Sequence, residues 1–171
     1  MKKRIVLPLL LCVGIALVFR AFGHEPLNEG KLQWHTDLMK AHEASEKSKK
    51  PIFAFFTGSD WCGWCHKLQR EVFAKPEFIE WANKNVILLE LDFPRSKQLP
   101  AELAQQNQNL QQQFQVRGYP TIWVFTTAKG EGNAFSLNPL GSLGYPSGAE
   151  KGNEEVKFLS DANKVLANRK K

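Results

Sequence analysis

Two cysteines, Cys62 and Cys65, stand two residues apart in the stretch Gly58-Ser59-Asp60-Trp61-Cys62-Gly63-Trp64-Cys65-His66. That spacing lets two sulfurs close a small ring within one helical turn, so the chemistry it suggests is dithiol–disulfide exchange. The stretch follows an apolar run and reads as the start of a helix. A thiolate at a helix N-terminus faces unpaired backbone N–H groups and the positive end of the helix dipole. The anion is thereby stabilised and the thiol pKa lowered, which marks Cys62 as the reactive sulfur. Cys65 lies one turn deeper, where it can attack a mixed disulfide on Cys62 and release the partner.

The elements around the pair must hold it at a strand-to-helix junction. Ile52-Phe53-Ala54-Phe55-Phe56 is a wholly apolar run of strand length, expected as a central strand covered on both faces. Thr57 to Asp60 turns the chain into a helix over residues 62–73, with Leu68, Val72 and Phe73 inward and a break at Pro76. Upstream, the spacing of Trp34, Leu38, Ala41 and Ala44 or Ser45 predicts a helix over 34–48, stopped by Pro51. Downstream the pattern predicts a helix at 77–83, a strand at 86–92, and a helix at 99–113 with Leu103, Leu110 and Phe114 as its apolar stripe. The Gln- and Asn-rich tract between Gln105 and Gln115 reads as the polar face of that helix. A strand at 121–126 is followed by turn chemistry at 129–133 and a hairpin partner at 134–137. A short strand at 140–145 is weaker, and a closing helix at 154–167 turns Val156, Leu159, Ala162 or Asn163, and Leu166 inward. Alternating strands and helices with a late hairpin predict an α/β sandwich of three layers in one domain, with no internal repeat.

The chain has 171 residues and a formal charge of +6. Four of the 23 basic residues and none of the 17 acidic ones lie in residues 1–23, so the rest is nearly balanced. No basic stripe with interleaved aromatics is present, which argues against nucleic-acid binding. Lys2-Lys3-Arg4 followed by an apolar run from Ile5 to Phe19 and by Ala21-Phe22-Gly23 reads as a signal peptide over 1–23, with an uncleaved membrane anchor as the alternative. Residues 24–171 would form the folded, exported domain, periplasmic or secreted. Cys12 lies within the apolar run and reads as filler. The exported part then carries one cysteine pair in an oxidising compartment. A structural disulfide closing so short a loop would add little stability, so the pair reads as a working disulfide.

Two motifs together resemble the thioredoxin-like family. Trp61-Cys62-Gly63-Trp64-Cys65 directly after an apolar strand is similar to the thioredoxin active site, and Val116-Arg117-Gly118-Tyr119-Pro120-Thr121 is similar to the family's loop ending in a cis-proline before a Thr. Lys67-Leu68, Glu71-Val72-Phe73, Pro76-Glu77-Phe78, Leu91-Asp92 and Gly144-Tyr145 look most like the exported single-domain members. The resemblance covers about residues 32–168. It implies a thioredoxin fold, α/β with a central mixed sheet flanked by helices, and thiol–disulfide exchange with protein partners. Cys62 would attack and Cys65 resolve. Pro120 would be cis, setting the Tyr119 backbone, with Thr121 after it, beside the sulfurs for pairing with an extended substrate strand. Trp61 would be a lid over the site, or an ordinary core indole. Gly63 and Trp64 form the dipeptide between the cysteines, where thioredoxin has Gly-Pro. His66 either tunes the thiolate or faces solvent.

Phe55 and Phe56 stand where thioredoxin has a buried Asp that helps move the resolving thiol's proton; Glu90 and Asp60 are candidates to replace it, each also readable as a solvated surface acid. Three other readings compete. Cys62-Gly63-Trp64-Cys65-His66 fits the C-x-x-C-H haem-attachment pattern, although an apolar strand precedes it. The same residues supply three soft or borderline ligands, short of the four of a closed zinc site, with copper handling as the metal alternative. A scaffold module would not need both cysteines. The reading adopted is an exported thiol–disulfide oxidoreductase, acting as a reductant, with no cofactor or metal. Its expected partners are protein thiols and disulfides of the cell envelope and a membrane electron-donor protein, and the expected state is a monomer.

Overall fold

A computed structural model of the chain describes residues 30–130 and 135–170. The expected signal segment at 1–23 and the core of the expected 129–133 turn lie outside the described residues. In order the elements are β1 (Trp34–His35), α1 (Leu38–Ser48), β2 (Ile52–Thr57), α2 (Gly63–Leu68) continued by a π-helical turn (Gln69–Phe73), α3 (Pro76–Asn85), β3 (Ile87–Asp92), α4 (Ala101–Gln113), β4 (Thr121–Lys129), β5 (Phe135–Leu143) and α5 (Glu154–Ala167), with a closing 3₁₀ turn (Asn168–Lys170). The five strands form one mixed sheet in the order β1-β3-β2-β4-β5. β1 and β2 run parallel to β3, whereas β4 is antiparallel to β2 and β5 to β4.

β2 is the central strand, and every residue in it is buried. Its alternation splits the core in two. Phe53 and Phe55 face a layer with Cys65, Leu68, Phe73, Phe78 and Phe158, drawn from α2, the π-helical turn, α3 and α5. Ile52, Ala54 and Phe56 face a layer with Ala41, Leu110 and Phe114 from α1 and α4. Helices on both sides explain why the strand reads as a continuous apolar run. Burying each of its large side chains contributes roughly 1.5–3 kcal/mol. The helix-flanked mixed sheet in three layers is the architecture expected from the pattern.

Several elements depart from the sequence reading. Trp34 belongs to a two-residue edge strand, paired through Trp34 with Leu88 and His35 with Leu89, not to the first helix. The helix begins at Leu38 because Asp37 caps it: Asp37 Oδ1 accepts from the Lys40 N–H at 3.0 Å. Trp34 instead lays its ring against Phe53, Phe55 and Phe73. In α4 the buried positions are Asn107 and Leu110, so the Asn-rich tract is partly core. Asn107 tolerates this because its Nδ2 donates to the Asp92 carbonyl at 2.9 Å. In α5, Phe158 and Ala162 are buried, while Val156 is exposed rather than inward. The two short strands expected at 134–137 and 140–145 are one strand, β5, whose pairing with β4 shifts register between Val124 and Phe125, opposite Pro139.

Candidate active site

The site lies where β2 ends and α2 begins. Gly58 opens the turn: its carbonyl accepts from the N–H of Trp61 at 3.2 Å and of Cys62 at 2.9 Å. A Cβ on Gly58 would sit 2.4 Å from the Trp61 indole, so only glycine leaves room for that ring. Cys62 is the N-cap of α2, and its Sγ accepts from the Cys65 N–H at 3.2 Å. Cys62 and Cys65 are joined in a disulfide with their Cα atoms 5.2 Å apart. Cys65 is fully buried, while Cys62 is 5 % exposed beside an open Gly63, where a Cβ would meet nothing within 4 Å. The helix continues past Leu68 as a π-helical turn, with Ala74 N–H on the Gln69 carbonyl, a widening common near functional sites.

Trp61 lies beside the cysteines, at the edge of the core. It packs partly buried against the core that contains both cysteines. Its Nε1–H donates to the Phe93 carbonyl at 2.8 Å, its ring stands edge-on to Tyr119 at 5.7 Å, and the Arg95 guanidinium lies 3.7 Å above it. Trp64 is instead 57 % exposed and leans on Tyr145 at 5.0 Å. His66 faces solvent with Nε2 donating to the Ser59 carbonyl at 2.8 Å. Across from the helix, the Tyr119–Pro120 peptide is cis. Tyr119 stacks obliquely on Phe93 at 5.3 Å, and its hydroxyl accepts from Gln111 Nε2 at 2.6 Å. Thr121 Oγ1 donates back to the Gly118 carbonyl, and Gly144 lies beside the Pro120 carbonyl, where a Cβ would make an ordinary contact at 3.8 Å. The elements thus join Trp61, Tyr119, Trp64 and Tyr145 to the dithiol.

The turn is tied to the end of β3 and the chain after it, a contact that sequence reasoning missed. Asp92 accepts from the Ser59 N–H at 2.8 Å and from Ser59 Oγ at 2.6 Å, and Lys97 pairs with it at 3.2 Å. Asp60 accepts from the N–H groups of Arg95 and Ser96 and from the Ser96 hydroxyl. The Ser96 hydroxyl and amide hold the Asp60 carboxyl down to about 2, so it stays ionised and is no proton acceptor near neutral pH. Ser59 and Asp60 lie more than thirty residues from Asp92, Arg95 and Ser96, and no local signal marks these pairs.

Glu90 is in a different position. It pairs in register with Phe55, and parallel partners in register share a face, so it lies on the dithiol side of the sheet. It is half-buried rather than a solvated surface acid. Desolvation, then the Asp92 carboxylate, push its carboxyl above the ordinary range, and Lys97 pulls back. A carboxyl raised in the folded state holds its proton more tightly there than in the unfolded chain. Stability is therefore greatest below the unfolded value and falls as pH rises through the folded one. Glu90→Gln should raise the melting temperature at neutral pH and flatten its climb on acidification from pH 7 to 4, read by thermal denaturation across a buffer series. An unchanged pH slope would mean that its surroundings do not raise the Glu90 carboxyl.

Among the described residues, no group of three His, Cys, Asp or Glu could hold a metal ion, and no helix is long and apolar enough to cross a membrane. Residues 38–135 match the family model described as a thioredoxin-like domain. The disulfide bond reductase DsbH of Chlamydia pneumoniae is 39% identical over 123 residues, which cover 71% of this chain and 73% of that protein. The thioredoxin-related protein DsbJ of the same organism is 25% identical over 151 residues, 88% of this chain but 41% of that longer protein. A solved structure of a DsbH oxidoreductase superposes with a TM-score of 0.66 at 31% identity, covering 83% of this chain and 89% of its own. A thioredoxin from Thermus thermophilus shares the fold at a TM-score of 0.55 and 15% identity, covering 78% and 86%.

Proposed function

This chain belongs to the thioredoxin-like family and is a thiol–disulfide oxidoreductase, and from that premise we propose that it reduces protein disulfides in the cell envelope, with Cys62 as the attacking thiol and Cys65 as the resolving one. The observation that carries the assignment is the cap. Cys62 Sγ receives the Cys65 N–H at the start of the helix, and a negative sulfur there gains from that donor and from the dipole. Cys65 is shut in the core and can meet a partner only through Cys62.

In the reduced protein the Cys62 thiolate attacks one sulfur of a substrate disulfide. A mixed disulfide forms, and the other substrate sulfur leaves as a thiolate that takes up a proton. Cys65 loses its proton and attacks Cys62 Sγ, the mixed bond breaks, and the substrate departs with its second thiol. Two electrons have passed to the substrate, and Cys62–Cys65 is left as the disulfide. A membrane electron donor, by thiol exchange with that disulfide, would return the pair to the reduced form. Tyr119, cis-Pro120 and Thr121 would receive the substrate backbone as an added strand, with Trp61 covering the sulfurs. Gly63 would leave Cys62 open to attack, and Trp64 would offer an apolar face to the incoming chain. His66 would hold the turn through Ser59. Residues 1–23 would carry the domain out of the cytoplasm, and the residues 24–171 would work there as a monomer.

Reduction as the direction is supported by the 39% identical relative, whose name is that of a disulfide bond reductase. The deciding measurement is the reduction potential of the Cys62–Cys65 pair, from equilibration in a graded thiol buffer with alkylation and mass counting of free thiols. A value near about −270 mV is expected for a reductant, whereas a value near about −120 mV would make the protein an oxidant.

A further inference from the structure

The rim of the dithiol site carries cations from three separate elements. Lys67, in α2, holds Nζ 4.9 Å from the Trp64 ring and 4.7 Å from the Tyr145 ring. Arg95, in the chain after β3, covers Trp61. Arg117 is exposed, two residues before Tyr119 on the strand-receiving loop. The acids nearby are committed to internal donors. Asp60 is held by the Arg95 and Ser96 amides and the Ser96 hydroxyl, and Asp92 by Ser59 and Lys97. Glu71 takes the Tyr145 hydroxyl at 2.5 Å, with Lys67 at 3.9 Å and Arg70 at 3.5 Å. The Tyr145 hydroxyl, ahead of both cations, holds its carboxyl below the ordinary range, so it stays charged.

Two features make this a recognition surface rather than a solvated fringe. Lys67 and Arg95 lie against aromatic faces, an arrangement that keeps their positions while leaving them within reach of an anion. Lys67 sits against the exposed Trp64, an indole of the kind that anchors interfaces together with Arg and Tyr. Arg95 meets Asp60 only through its backbone N–H, and neither its guanidinium nor that of Arg117 pairs with a carboxylate among the described residues.

We propose that this rim selects disulfide-bearing polypeptide segments in which acidic residues flank the attacked cysteine, the acids meeting Lys67, Arg95 and Arg117 while the cysteine meets Cys62. The inference rests on the exchange function above and names the substrate class of that same site. Charges of this sort act mainly through encounter rate and selection of partner, and salt screens them.

The test uses the reduced full-length protein and three peptides of equal length, each with one internal disulfide, flanked by Glu, by Lys or by Gln. At low ionic strength kcat/KM should favour the Glu peptide over the Lys peptide by about tenfold. The ratio should collapse toward one at roughly 1 M salt, where the screening length is about 3 Å. Lys67→Gln combined with Arg95→Gln should cut the low-salt ratio to about threefold or less. A change in Cys62 reactivity alone would move all three peptides together and leave the ratio intact. Equal rates for the Glu and Lys peptides, or a ratio unchanged in the double variant, would overturn the proposal even while the Gln peptide is reduced. Failure to reduce any of the three would overturn the exchange function as well. The salt dependence of the wild-type ratio decides the matter even if the double variant does not fold.

Discussion

Cys62→Ser is expected to bring disulfide reduction down to the background of the thiol buffer, a loss on the order of a thousandfold or more, because a hydroxyl at this position does not ionise near neutral pH and cannot act as the exchanging nucleophile. Cys65→Ser should fail differently. The first attack by Cys62 needs only the cap and the open Gly63, both of which remain. A mixed disulfide should therefore form and persist, since no second sulfur is present to break it. Non-reducing electrophoresis and intact mass would show the Cys65→Ser adduct, while the Cys62→Ser protein would show none. An adduct on the Cys62→Ser protein through Cys65 would reverse the assignment of roles. The burial of Cys65 is what makes that reversal unexpected. A mutant still active without either cysteine would end the exchange mechanism altogether.

Phe53→Ala should cost about 3–5 kcal/mol of stability, the range for truncating a buried phenylalanine. Phe53 is fully buried in the central strand. Its ring meets Trp34 of β1, Phe73 of the π-helical turn, Phe78 and Trp81 of α3 and Phe158 of α5. Those five rings come from four elements, so no single neighbour can move in to close the space. For a chain of this size the loss corresponds to a fall of roughly 10 °C in melting temperature, measured by calorimetry. Phe53→Leu, which keeps much of the volume, should cost less. If the alanine variant melted within a degree or two of the parent, this cluster would not be the main support of the helix layer that carries the cysteines.

The pair Cys62–Cys65 was legible without coordinates because its chemistry is set by covalent spacing and by a helix start four residues after a turn glycine, all within one stretch. The apolar run of β2 and the β4–β5 pairing were legible for a related reason: burial on both faces and a short turn leave local patterns. The second motif, ending in Pro120, gave the family resemblance but not the neighbours of the proline. Those neighbours depend on where chain segments far apart in sequence meet. β1 has only two residues, and its status as a strand comes from Leu88 and Leu89, some fifty positions on. Asn107 reads as a surface residue until the Asp92 carbonyl is brought to its amide. Glu90 is an unremarkable acid by composition, and its raised carboxyl follows from the register that places it beside Phe55 on the dithiol face. Asp60 is the converse case, a surface acid kept ionised because the chain after β3 folds the Ser96 hydroxyl, and then the Ser96 and Arg95 amides, onto it. Spacing along the chain determined which atoms can react. The dielectric, the donors and the charges around them are sums over distances in space, which short-range pattern does not contain, and only the packed sheet and its loops decided those.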